Sequence, residues 1–340
     1  SPAGRPYHLN LKGETVKKEF TELKWKPMWT THMACIKGCL DFLGVKVSDA
    51  WLFGGTGHAF VINMHEVVCP SGPTAWNTSR MFELGKNLGY EVTGVFGFKT
   101  DADFAQKQEA AWDLAKKSID EGIPCYGWEL AIPEYYVVKG YDDVGYYYSG
   151  VCLDLPSVKM PLPWQELGTS DIGFLGMYSV KSCKPADDAT VVKDALSFAL
   201  EFARSPEGWV FPQYRAGLEG FDLWIKALEE GKAHPHGMAF NTEVWRECRH
   251  QGAGFLREAG KRLGGKPAPL CEEAAGHYDG VAKSLGGLAE TFPFPLEKGQ
   301  ELRDTKDPAL RDSGLKFLRE ARSAEEAGLA ALARIVEALP

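Results

Sequence analysis

Trp29-Thr-Thr-His32-Met-Ala-Cys35-Ile-Lys-Gly-Cys39-Leu-Asp-Phe-Leu-Gly44 is the stretch on which the reading of this chain turns. Ile36, Leu40 and Leu43 recur at helical spacing and make one apolar stripe, and Gly44 suits the left-handed residue that ends a helix. The segment predicts a short helix with Cys35 in its first turn. A thiol there faces unpaired backbone N–H groups and the positive end of the helix dipole, and both favour the thiolate, the nucleophilic form. Set against this is a packed core cysteine, because free Cys is among the most buried residue types.

The rest of the chain bounds what such a helix can serve. At 340 residues it is about twice the usual length of one domain, so two domains are expected. The hydrophobic share of 44% supplies ample core. The net charge of −8 is spread along the chain, and no basic stripe with interleaved aromatics suggests a nucleic-acid partner. No apolar run reaches the roughly 18–20 residues that cross a bilayer, so no membrane partner is expected. Ser1 to Lys12 lacks an apolar signal core, and a start at Ser leaves room for an upstream segment already removed. Eight cysteines are too sparse for a disulfide scaffold and none falls in a Cys-x-x-Cys pair. This reads as a cytoplasmic, reducing setting with mostly free thiols. His32 and Cys35 form a His-x-x-Cys fragment without a second pair, so neither structural zinc nor another cofactor is expected.

The chain changes character near Pro185, which sets expected domains of 1–185 and 186–340. In the first, Ala59-Phe-Val-Ile-Asn63 reads as a buried strand and Asp101 to Glu121 as an amphipathic helix. Strands are expected at Tyr90 to Gly97, Pro124 to Leu130, Tyr135 to Tyr141, Gly145 to Leu153 and Ile172 to Val180, with Asp142-Asp-Val-Gly145 as a hairpin turn. Helices first and a mainly antiparallel sheet after them make an α+β pattern. The second half reads as a helical bundle, with helices at Thr190–Arg204, Leu218–Glu230, Thr242–Leu263, Glu272–Thr291, Pro308–Arg322 and Ala324–Leu339.

Three pieces together carry a resemblance: the cysteine helix followed by Leu52-Phe-Gly-Gly-Thr-Gly-His58-Ala-Phe60; Gly122-Ile-Pro-Cys125 followed by Pro133-Glu-Tyr-Tyr-Val-Val-Lys-Gly-Tyr-Asp-Asp143; and the helical stretches Gly220 to Ile225, Phe240 to Trp245 and Ala289 to Phe294. The arrangement resembles proteins related to butirosin biosynthesis protein H, whose N-terminal domain is similar to papain-like cysteine peptidases that process bacteriocin leaders. The resemblance implies a papain-like α+β domain followed by an all-α helical domain, and an acyl-transfer site. The family's namesake moves an acyl group from a carrier protein to an amine. The resemblance places the nucleophile at Cys35 and the orienting acid near Asp154. Where the peptidases begin a strand with His, this chain has Tyr135, preceded by Glu134. A phenol with an ordinary pKa near 10 does not replace an imidazole at neutral pH.

His58 is the substitute base, or else a histidine satisfied within a tight turn after Gly-Gly-Thr-Gly. His32 either donates to an oxyanion or caps the helix and packs on Trp29. Glu134 binds a substrate amine or orients His58. Trp128 and Tyr135 belong to a dense aromatic cluster whose outward members either line a substrate cleft or pack against the helical domain. Asn241 faces a cleft between the domains, where small-molecule sites gather. His58, His65, Glu66 and Cys69 are metal-ligand residue types, but a strand at 59–63 sets them at opposite ends, and Pro70-Ser-Gly-Pro73 reads more simply as a rigid turn. His234 and His236 lie in a loop between helices.

The expected function is a cysteine-nucleophile acyl or aminoacyl transferase, or an amide hydrolase, acting on a small-molecule or carrier-bound substrate through a thioester. Cys35 attacks, His58 moves the proton, and backbone N–H groups with His32 hold the oxyanion. The alternative is a non-catalytic ligand-binding protein on a degenerate papain-like scaffold, supported by Tyr135 in place of histidine. A homodimer is compatible with the sequence, which does not fix the oligomeric state.

Overall fold

The computed structural model describes residues 17–204, 207–297 and 299–340, and the expectation about Ser1 to Lys12 lies outside these residues. In chain order the elements are β1 (Lys18–Glu19), α1 (Thr31–Leu43), α2 (Asp49–Gly55), β2 (Asn63–His65), α3 (Ser79–Gly85), β3 (Tyr90–Phe98), α4 (Phe104–Asp120), β4 (Cys125–Trp128), β5 (Tyr135–Tyr141), β6 (Gly145–Ser149), β7 (Leu162–Pro163), β8 (Phe174–Ser182), α5 (Asp188–Arg204), β9 (Tyr214–Ala216), α6 (Gly217–Glu229), α7 (Pro235–Leu263), α8 (Pro267–Thr291) and α9 (Pro308–Ala338). The protein is mixed α+β. Among the described residues no helix is long and apolar enough to cross a membrane.

The chain packs as two compact units. One holds the residues up to Val47 together with Gly89–Lys184; the other holds Ser48–Leu88 and Pro185–Pro340. Residues 48–88 join the helices because α2 lies directly on α7: a Cβ on Gly54 would sit 1.9 Å from Cγ of Phe255, so only glycine allows that approach. Trp51 meets the same ring, with centroids 5.0 Å apart.

In the first unit seven strands form one antiparallel sheet, ordered β3-β8-β4-β5-β6-β7 with β1 added beside β5. Alternation along the strands divides their side chains between two faces. Tyr126, Trp128, Tyr135 and Tyr178 share the face on which α1 packs. Cys125, Tyr136, Val138 and Met177 share the other and form one core with Ala111, Trp112, Ala115 and Ile119 of α4. Most of the aromatic cluster seen in the sequence is therefore core within this unit. Gly44 takes φ +74° and caps α1, its N–H donating to the Asp41 and Leu40 carbonyls. The expected hairpin turn forms: Asp142 accepts from the backbone of Val144 and Gly145 and from the Tyr147 hydroxyl.

The second unit is helical apart from the short β2–β9 pair. α7 packs on α8 and α8 on α9. The strand expected at Ala59–Asn63 is instead a 3-10 turn at His58–Phe60, with the strand displaced to Asn63–His65. A short apolar run does not tell the two apart. α7 begins at Pro235, so His234 is no loop residue but the helix's cap, its Nδ1 accepting from the Gly237 N–H at 3.3 Å. The two helices expected after Pro308 are one, because nothing at Ser323-Ala324 breaks it.

A buried ion pair ties this unit together. Arg249 of α7 donates from Nε and Nη2 to the two carboxylate oxygens of Glu325 of α9, both at 2.8 Å. Its Nη1 donates to the carbonyls of Ala59 and Val61 at 3.0 and 2.7 Å. Each of its three nitrogens has a partner, and four of its five N–H donors are bonded, which meets most of the demand of burying a guanidinium.

Candidate functional site

α1 starts four residues before Cys35, and that offset decides the chemistry. Thr31, not Cys35, occupies the first helical position. Its hydroxyl donates to Oε2 of Glu134 and accepts from the backbone N–H of Tyr135 at 3.2 Å. The start of the helix is thus tied to the start of β5. Glu134 is half-buried, and burial pushes its carboxyl up to about 7, opposed in part by the Thr31 hydroxyl.

Cys35 sits one turn further along, with no exposed surface. Burial drives its thiol well above the ordinary range, and Cys39 and Glu134 raise it further. The thiolate expected there is corrected on this ground: the helix dipole acts within the first turn, whereas desolvation acts wherever water is excluded. Cys39 is equally enclosed.

His32 packs flat on Tyr135, with centroids 3.9 Å apart and planes 16° apart, and its Nε2 meets the Tyr126 hydroxyl at 3.0 Å. It is 4% exposed and sits on the sheet, in aromatic packing and not at an oxyanion. Trp128 meets Tyr135 edge to face at 4.9 Å and is also buried. Burial holds the phenols of Tyr126 and Tyr135 far above their ordinary range, so both stay protonated.

His58 belongs to the other unit. Its Nδ1 lies 3.6 Å from Sγ of Cys248, and Trp76 and Phe53 stand edge-on to it at 5.6 and 6.0 Å. Burial pushes the imidazole down to about 4, its own backbone bond opposes this, and the Arg249 charge adds to the fall. It is a neutral core histidine, and the thiol it meets is Cys248. Asn241 is also enclosed: its Nδ2 donates to the carbonyls of Cys69 and Gly237 at 3.0 and 2.9 Å, and its Oδ1 accepts from Trp245 at 3.2 Å. With those bonds made it holds the Cys69 loop against α7. Among the described residues no group of three or more His, Cys, Asp or Glu side chains gathers as a metal site, His65, Glu66 and Cys69 included. A cavity of about 670 Å³ in the helical unit opens at Val67, His234 and Lys306, and none of the expected site residues lines it.

One neighbour of Glu134 was not singled out from the sequence. Cys152 is exposed, takes φ +54°, and has its thiol raised first by partial burial, then by Asp154 and Glu134. Asp154 thus stands at the same end of the sheet as Glu134, on the exposed loop after β6. On the other side Glu129 also takes a positive φ, +56°, and its N–H donates to the Glu134 carbonyl at 2.8 Å. The site is therefore Thr31, Glu134, Cys152 and Asp154, flanked by two left-handed residues that are not glycine.

No protein-family model matches this chain, and no curated protein sequence matches it.

Proposed function

We propose that the sheet unit binds a small cationic ligand, an amine, at Glu134 on a papain-like scaffold, without cysteine catalysis. The papain-like reading is supported by the order of elements: a helix first, then an antiparallel sheet, with the helix start against the first residue of β5. That is the arrangement expected from the likeness to butirosin H-related proteins, with their helical C-terminal domain. The observation that carries the proposal is the Thr31–Glu134 contact at this junction. It holds a half-buried carboxyl beside the helix start, next to Tyr135, while Cys35 is sealed. A cation beside that carboxylate favours its ionised form and offsets the penalty of burial.

Titration calorimetry of the full chain with small primary amines and diamines tests this. Binding is expected to strengthen by about tenfold from pH 6 to pH 8, as Glu134 ionises. It is expected to vanish in Glu134→Gln and survive in Cys35→Ser. Amines that bind Glu134→Gln as well as the native chain, or no amine that binds at all, would remove the proposal.

The Thr31–Glu134 contact also favours a second reading, acyl transfer from oxygen. The Thr31 hydroxyl attacks an activated acyl group, Glu134 takes the proton, and the leaving group departs. Intact-mass measurement after incubation with an activated ester would show one acyl group on the native chain and none on Thr31→Ala. Iodoacetamide separates both readings from the thioester route: Cys152 is expected to label first in the native protein, and Cys35 only after unfolding. Fastest labelling at Cys35 would restore the thioester route.

A further inference from the structure

We infer that β3 pairs edge to edge with β3 of a second copy of this chain, joining the two sheets into one across a two-fold axis at Gly94.

The two ends of the sheet are built differently. At one end β7 is two residues long and includes Pro163, the usual devices that stop a further strand from adding. At the other end β3 runs for nine residues, contains no proline, and is largely exposed. Its backbone direction follows from one bond: Lys99 N–H donates to the Gly173 carbonyl at 2.8 Å, in register with the β3–β8 pairs. Odd-numbered residues therefore turn their backbone groups to β8, and even-numbered ones turn theirs outward. Phe98 confirms the alternation: its outward N–H is taken by Asp101 Oδ2 at 2.9 Å and its carbonyl by the Asp101 N–H at 2.8 Å. That leaves Tyr90, which is buried, and the three edge residues Val92, Gly94 and Phe96. Among the described residues their outward N–H and C=O groups have no backbone partner.

These three residues are self-complementary. An antiparallel pairing centred on Gly94 sets Val92 against Phe96 of the second copy, Gly94 against Gly94, and Phe96 against Val92. About six hydrogen bonds form and none of the open groups is left over. Moving the axis to Thr93 or Val95 would keep outward groups at the interface, but it would set Phe96 against the buried Tyr90 or Val92 against Phe98, whose groups Asp101 already takes. On the face of the sheet shared with Tyr178, the pairing covers Phe96, which is 62% exposed. On the other face Glu91 lies diagonally from Lys99 of the second copy, twice by symmetry, within reach of two long side chains of opposite charge.

The full chain is expected to sediment as a dimer at micromolar concentration. Phe96→Pro removes only an outward N–H, and Phe96→Lys replaces an exposed ring by a charge. Each is expected to weaken the dimer at least tenfold while leaving the circular dichroism spectrum unchanged. Register has its own test. Thr93 faces Val95 of the second copy as a pair that exchanges no hydrogen bonds, close enough for a disulfide. A mixture of Thr93→Cys and Val95→Cys chains should therefore oxidise to a linked dimer through those two positions, which neither variant forms alone. A native monomer overturns the inference. So does a dimer that Phe96→Pro leaves intact, which would place the contact elsewhere, or a mixture that fails to crosslink.

Discussion

Replacing Glu134 with glutamine should make the protein more stable at pH 8 and leave it nearly unchanged near pH 4.5. The reasoning begins from the carboxyl's position, half-buried at the junction of α1 and β5, which raises it from an ordinary 4.5 to about 7. Between those two values the folded chain keeps a proton that the unfolded chain has released. Stability therefore stands in full below about 4.5 and declines as pH rises through 7. At about 1.36 kcal/mol per pH unit the full decline is roughly 3 kcal/mol, and solvent access to the half-buried group brings it nearer 2 kcal/mol. Glutamine keeps the shape and still accepts from Thr31, but it never ionises. Urea unfolding of both proteins at pH 5 and pH 8 gives the difference directly, and groups common to both chains cancel. The advantage of Glu134→Gln is expected to grow from under about 1 kcal/mol at pH 5 to about 2 kcal/mol at pH 8. Thr31→Ala removes the one bond that opposes the rise and should steepen the decline. An equal difference at both pH values, or a native protein more stable than the variant at pH 8, would refute the reasoning.

The helical unit should show the opposite slope through His58, whose imidazole lies at about 4 when folded against an ordinary 6.5. The unfolded chain takes up the proton first, so this stability is whole above 6.5 and is lost as pH falls towards 4; His58→Gln should flatten that acid-side loss by about 3 kcal/mol in urea unfolding, and an unchanged slope would count against a neutral buried ring. Arg249→Met strands the buried Glu325 carboxylate and opens the Ala59 and Val61 carbonyls, at a cost of about 3–5 kcal/mol in thermal unfolding. Adding Glu325→Leu should recover much of it, and a double variant as weak as the single one would show that the stranded charge is not the cause.

How much of this was legible in sequence depends on the range of the interactions involved. Gly44 marks the end of α1 through its own φ, and the Asp142–Gly145 turn closes through bonds within four residues. Both are local, and both were read correctly. The start of α1 lies one turn before the cysteine expected in its first turn, and no local signal shows it, because Thr31 spends its hydroxyl on Glu134, more than a hundred residues away. The neighbourhood of Cys152 was hidden by a single residue. The β5–β6 register shifts between Val138 and Gly140, and that bulge, which the sequence does not announce, helps set how the loop after β6 meets the start of β5. The surroundings of His58 are hidden for a similar reason: its glycine-rich approach is visible, but Cys248, which it meets, is 190 residues further on.

The case for Glu134 as a ligand-holding group rests on where the molecule tolerates conflict. The buried charge of Arg249 is matched by the Glu325 carboxylate, with each guanidinium nitrogen bonded. At one end of the sheet three unfavourable features coincide: a half-buried carboxyl that among the described residues meets a hydroxyl and no cation, and left-handed backbone at both Glu129 and Cys152. Each left-handed residue of this kind costs about 1–3 kcal/mol, and the carboxyl adds a similar amount above pH 7. A chain selected only for stability would replace these positions cheaply, with Gln at 134 and Gly at 129 and 152. A cation seated on the carboxylate relieves the largest of the three, because the ionised form is then the favoured one. The pH at which Glu134 weakens the free protein is therefore the pH at which the liganded protein should gain most from it. Amine binding and the stability difference should rise together over the same interval, and a protein in which they rise over different intervals does not use Glu134 in this way.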